Sequence, residues 1–186
     1  VEIEPQNDLV IYTSTLRRTI MTSEPLVQEG FLRKKFKCLD EIDAGLCDGM
    51  TYEEIKEKWP KEFEARSNDK LNYRYTRGES YKDLISRISP IIYELERRKG
   101  PVLLVGHQAT IRCIYGYFAG APIENIPNLN IPLNCLIKIT PDIFGINEER
   151  YILNENNEFI MNNKSVINFA DMLNFIPDKN IPLNNN

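Results

Sequence analysis

Apolar positions follow two rhythms along this chain. Short continuous runs, Leu9-Val10-Ile11-Tyr12 and Val102-Leu103-Leu104-Val105, read as buried strands. Each is followed by polar residues and then by helical spacing. Leu16, Thr19 and Ile20 mark a helix after the first run, with Thr13-Ser14 as turn and N-cap, and a helix over about 109–118 follows the second. A longer helical rhythm, Leu84, Ile85, Ile88, Ile91, Ile92 and Leu95, predicts a helix from Glu79 to Lys99, kinked by Pro90 and ended by Gly100. Thr51 with Glu54 forms a capping box for a short helix to Lys58 or Trp59, and Pro60 opens the next. Residues 31–39, basic and aromatic, suit a strand, while 135–140 and 151–153 suit a late hairpin pair. The segment 41–49 carries two glycines and is loop-like, and 66–78 is polar and irregular, the kind of long loop that is usually functional. Strands alternating with helices predict an α/β sandwich with a largely parallel sheet.

Composition narrows the classes. A chain of 186 residues suits one domain with a real core. A net charge of −4 argues against general nucleic-acid binding, though not against a local basic pocket. No run of 18 apolar residues predicts a membrane span, and Val1-Glu2-Ile3-Glu4-Pro5 lacks a secretion-signal pattern, so a cytoplasmic protein is expected. Cys38, Cys47, Cys113 and Cys135 are widely spaced and only one histidine is present, so neither a zinc site nor a disulfide framework is expected. A start at Val1 suggests a piece of a longer protein. From Asn154 the chain is Asn-rich and weakly patterned, and 182–186 reads as a disordered end. The expected division is a domain over 1–153 and an extension over 154–186.

The single histidine, His107, sits where a buried strand turns into a helix, a junction whose free N–H groups and dipole favour anions. Arg17-Arg18 follow the other buried strand, so at least one guanidinium could reach the same sheet edge and hold phosphate; a solvated face is the plainer account of the pair. Glu41, beside a glycine-bearing loop, suits a proton donor to a leaving oxygen, or is a simple surface carboxylate. Arg66, Lys70, Arg74, Arg77 and Tyr81, with Tyr52 upstream and Gln108 and Arg112 on the His107 helix, combine cations for phosphate with phenols for hydroxyls. That set suits a phosphorylated sugar.

Several ordered blocks carry a resemblance: residues 12–20 (Tyr12 to Ile20), 39–45 (Leu39 to Gly45), 50–55 (Met50 to Ile55), then Tyr73-Arg74-Tyr75, Gly78-Glu79-Ser80-Tyr81 and Gly106-His107-Gln108-Ala109. Over residues 9 to about 144 the chain resembles the bisphosphatase half of the 6-phosphofructo-2-kinase/fructose-2,6-bisphosphatase family, within the histidine phosphatase (phosphoglycerate mutase-like) superfamily. The resemblance implies a three-layer α/β sandwich with a mostly parallel sheet. It implies that Arg18 clamps phosphate, Glu41 is the general acid and His107 is the second histidine, which holds the transferred phosphoryl group. It also implies that Tyr52, Arg66, Lys70, Tyr81, Gln108 and Arg112 hold the fructose 6-phosphate part of fructose 2,6-bisphosphate. No metal or cofactor is implied for this half; ATP and magnesium would serve an N-terminal kinase domain, through which the full protein could form a homodimer.

One departure from the family is large. The family's nucleophile is another histidine, in an Arg-His-Gly motif closing a first strand that lies mid-sheet beside the strand ending at His107. This chain has no second histidine, and covalent catalysis needs one to form phosphohistidine. The chain is therefore expected to lack that strand, to leave two sheet edges unpaired, to fold poorly alone and to be inactive as it stands. Two alternatives stay open: a non-catalytic sugar-phosphate-binding domain, or another phosphatase or mutase of the superfamily.

Overall fold

Among the described residues, six strands fall into two three-stranded sheets, one parallel and one antiparallel. The computed structural model describes residues 8–156, 158–169 and 172; the expected disordered end at 182–186 lies outside them. The parallel sheet has β1 (Val10–Thr13) at its centre, flanked by β2 (Leu32–Lys35) and β3 (Val102–Val105). A strand between two neighbours must be apolar on both faces, and all four residues of β1 are buried. Val10 and Tyr12 join the main core with residues of α4 (Tyr81–Arg97) and α5 (Gln108–Ala119), while Ile11, one residue out of phase, points to the opposite face. Helix α1 (Arg17–Gln28) packs across the strands of this sheet. The edge strand β2 exposes Lys34 and Lys35, which blunts further pairing. Among the described residues β3 pairs only with β1, and its four apolar residues are half-buried.

Helix starts follow local chemistry. Thr51 and Glu54 close the expected capping box of α2 (Tyr52–Lys58), and Ser80 with Asp83 closes another at α4. Pro60 is the first residue of α3 (Pro60–Asn68). Four expectations are corrected in detail. The N-cap of α1 is Leu16 rather than Thr13-Ser14, with Ser14 Oγ instead accepting from the Leu16 N–H. Helix α4 ends at Arg97 rather than Lys99. Arg66 lies in the last turn of α3, not in a loop. The Asn-rich segment contains a strand, β6 (Phe159–Asn168), beyond β4 (Cys135–Asp142) and β5 (Gly145–Leu153) in the antiparallel sheet. β6 is held by its ladder to β5 rather than by burial, so its side chains left no pattern to read.

Two loops are pressed together where glycine allows it. Gly45, with φ of 53°, and Gly78 leave no room for a β-carbon, because each would collide with the other loop's backbone. This fixes the segment after Glu41 against the segment that leads into α4.

Candidate functional site

The C-terminal ends of β1 and β3 bring the first group together. Arg18 Nε donates to His107 Nδ1 at 3.0 Å, and His107 Nε2 lies 2.8 Å from Ser14 Oγ. Arginine is always a donor, so Nδ1 is the acceptor and the ring proton resides on Nε2, facing Ser14. Ser14 Oγ passes the chain to Thr19 Oγ1 at 2.7 Å, and Thr19 donates to the Leu16 carbonyl. The ring is thus neutral and engaged at both nitrogens. Burial, followed by the Arg18 charge, pulls its pKa down to about 4. Arg17 stays exposed on the same helical turn.

Glu41 stands next to this corner. Its Oε1 accepts from the Ile42 N–H and its Oε2 is 3.4 Å from the Ala109 N–H in the first turn of α5. Burial raises its pKa, opposed by these backbone donors and by Arg18. A carboxyl so placed holds its proton to higher pH than an ordinary glutamate, as a proton donor should. Arg87 of α4 fixes the segment that carries Glu41. It donates to the carbonyls of Cys38, Asp40 and Glu41 at 2.8, 3.0 and 3.2 Å, and forms a two-point ion pair with Glu79 at 2.7 and 2.8 Å. Sequence reasoning passed over Arg87, although it sits within the apolar stripe of its helix, three residues after Leu84 and four before Ile91.

The second group is a cavity of about 80 Å³ lined by Glu41, Tyr52, Arg66, Lys70, Tyr81, Gln108 and Arg112, together with Tyr73 and Tyr75. All six residues expected to hold a sugar phosphate therefore meet in one place, while Arg18 and His107 do not line it. Arg66, 8% exposed, donates to Tyr52 Oη at 2.9 Å. Burial, then Arg112 and Arg66, lowers the Lys70 pKa to about 7. Arg74 instead pairs with Asp83 outside the cavity, and Arg77 is exposed in the left-handed region with φ of 63°.

A segment that sequence reasoning missed holds three of the lining side chains from behind. Lys70 Nζ donates to the Pro127 carbonyl at 2.7 Å, Arg112 Nε to Leu129 at 2.8 Å, and Gln108 Nε2 to Ile131 at 3.1 Å. These alternate carbonyls run from the end of the 3-10 helix Ile123–Asn128 into the irregular segment after it, where Pro127, Leu129 and Ile131 are buried while Asn128 and Asn130 are exposed. That period-two pattern was the available signal. Among the described residues no cluster of three His, Cys, Asp or Glu side chains could hold a metal ion, the four cysteines are free thiols, and no helix is long and apolar enough to cross a membrane.

Comparison with known proteins agrees with the geometry. Residues 2–152 match the family model of the histidine phosphatase superfamily, branch 1. The chain is 50% identical over 143 residues to 6-phosphofructo-2-kinase/fructose-2,6-bisphosphatase of Arabidopsis thaliana, covering 77% of this chain and 19% of the relative. It is 50% identical over 138 residues to fructose-2,6-bisphosphatase of Saccharomyces cerevisiae, covering 74% of this chain and 30% of the relative. The chain thus spans roughly a fifth to a third of such relatives. Among solved structures, the alpha-ribazole phosphatase from Shigella flexneri superposes with a TM-score of 0.63 at 17% identity, covering 89% of this chain and 75% of that one. A mycobacterial glucosyl-3-phosphoglycerate phosphatase gives 0.57 at 22% identity, covering 86% and 76%. At such identities the likeness shows the phosphoglycerate mutase-like fold.

Proposed function

This chain belongs to the histidine phosphatase superfamily, and from that membership we propose that its cavity is the fructose 6-phosphate side of a fructose-2,6-bisphosphatase site. The observation that carries this reading is the meeting of Arg66, Lys70 and Arg112 with Tyr52, Tyr81 and Gln108 in one recess whose only carboxylate among the described residues is Glu41. Three cations suit a phosphate, and the phenols and the amide suit sugar hydroxyls. The relatives' names supply the sugar.

In the reaction so read, a histidine nitrogen attacks the 2-phosphate. An N–P bond forms, the bond from phosphorus to the C2 oxygen breaks, and Glu41 gives its proton to that oxygen, releasing fructose 6-phosphate. Water then attacks phosphorus, the N–P bond breaks, phosphate leaves and Glu41 recovers a proton. Arg18 and His107 would clamp the phosphoryl group. Neither a metal nor a cofactor enters; ATP and magnesium belong to a kinase half of a longer bifunctional protein. His107 is a poor attacking group, because the Nδ1 lone pair is taken by Arg18 and Nε2 carries the proton. As this is the one histidine of the sequence, the chain alone binds sugar phosphate and does not hydrolyse fructose 2,6-bisphosphate. The same observation favours a second reading, a sugar-phosphate-binding domain without catalysis.

Titration calorimetry with fructose 6-phosphate, paired with a phosphate-release assay on fructose 2,6-bisphosphate, tests this reading. Binding without release is expected from the 186-residue chain. Release that depends on His107, or a folded chain that ignores fructose 6-phosphate, would contradict it.

A further inference from the structure

Helix α3 reaches onto the segment 69–79 with two side chains one turn apart, Glu62 and Arg66. The Tyr73 hydroxyl donates to the Glu62 carboxylate. The Arg66 guanidinium lies over two rings, 4.7 Å from the Tyr52 centroid and 5.7 Å from that of Tyr75. Tyr73 and Tyr75 meet edge to face at 5.3 Å and 80°. Tyr75, 8% exposed, belongs with Cys47 and Ile55 to a small apolar cluster separate from the main core, against which Tyr73 also packs. Both tyrosines line the cavity, yet neither was among the residues expected to hold the ligand.

A guanidinium laid on two aromatic faces can turn in its plane but cannot swing out of it, and loses little further freedom when it meets a phosphate. Glu62 and Tyr73 set where the second face stands, because the Tyr73 ring buttresses Tyr75. We propose that Glu62, Tyr73 and Tyr75 form a clasp that holds Arg66 in its ligand-binding orientation, with Tyr75 the positioning residue. This rests on the reading of the cavity as a sugar-phosphate site. The clasp acts through Arg66 and contributes ring faces, the Tyr75 hydroxyl, which also meets the guanidinium, and one carboxylate, not ligand contacts.

Two variants separate positioning from plain stability. Tyr75→Leu keeps apolar volume and removes the ring face, while Tyr75→Phe keeps the face and removes the hydroxyl. Fructose 6-phosphate affinity by calorimetry, measured well below each melting temperature, is expected to fall about tenfold in Tyr75→Leu and clearly less in Tyr75→Phe, which keeps the ring face and loses only the hydroxyl contact. Exchange of the Arg66 Nε proton with solvent, followed by NMR without ligand, is expected to quicken in Tyr75→Leu and in Glu62→Ala, and to recover in Glu62→Gln. Unchanged affinity in Tyr75→Leu alongside a lowered melting temperature would reduce the cluster to a structural role and overturn the proposal. Should Tyr75→Leu fail to fold, Glu62→Ala carries both measurements. Should the wild type not bind fructose 6-phosphate, the functional reading fails, and the clasp is judged on exchange alone: unchanged Arg66 exchange in the variants overturns it.

Discussion

The corner at His107 and the cavity at Arg66 lie on either side of Glu41 and are built on opposite plans. In the corner, the polar atoms of His107, Ser14 and Thr19 close a chain of hydrogen bonds, and the ring in it is neutral. In the cavity, three cations stand with one carboxylate; Lys70 and Arg112 turn to backbone carbonyls for partners, and Arg66 to the Tyr52 hydroxyl. Such partners satisfy a donor but cannot neutralise a charge, so positive charge accumulates; burial first, and then the Arg112 and Arg66 charges, lower the pKa of Lys70. The corner satisfies its own polar atoms, whereas on the proposed reading the cavity would be completed electrostatically by an anion. Ligand binding and fold stability should therefore respond to different residues.

The largest expected effect is on the stability of the corner in acid. His107 titrates near pH 4 in the fold against 6.5 ordinarily. Above that ordinary value both states carry the neutral ring and nothing is lost. As pH falls through the window, the unfolded chain takes up a proton that the folded chain refuses, so stability declines until the folded ring protonates too, by about 3 kcal/mol in all. Urea unfolding across this range should show the decline, and the His107→Asn variant should show a flatter acid limb. Equal slopes in the two proteins would mean that the ring is not buried neutral.

Next comes affinity in the cavity. Arg112→Ala removes one charged partner and should weaken fructose 6-phosphate binding about a hundredfold in calorimetry, equivalent to roughly 2–3 kcal/mol. Stability should change little beyond the lost bond to Leu129. An unchanged affinity would place the ligand elsewhere.

A smaller effect sharpens the contrast. Lys70 is largely neutral above its pKa of about 7, and a bound phosphate raises that pKa again. Binding near pH 8, where the ligand phosphate is already a dianion, should therefore take up a fraction of a proton on Lys70, whereas near pH 6 Lys70 itself should take up almost none. Calorimetry in buffers of different ionisation enthalpy reads this directly, and Lys70→Met should abolish the uptake. Uptake that survives in Lys70→Met would assign the proton to another group.

How legible all this was depended on where burial leaves a mark. β1, β3 and α5 were readable because a central parallel strand and the helix after it must be apolar in continuous runs. The six cavity residues were named through the family resemblance, and the structure gathers them in one recess. Arg66 was assigned to a loop because α3 packs on the small second cluster and is polar nearly all round. β6 escaped notice because its residues are mostly exposed and its strength lies in backbone pairing. Arg87 and the carbonyls of Pro127, Leu129 and Ile131 work largely through backbone groups, which leave no residue type to recognise; only the apolar spacing around them marked their places.

The most direct test follows the arginine Nε–H signals by NMR while fructose 6-phosphate is added to the 186-residue chain. Arg66 and Arg112 are predicted to shift together and saturably, with Arg18 nearly still because its Nε–H remains on His107. Movement of Arg18 alone, or of none of the three, would contradict the assignment of ligand binding to the cavity.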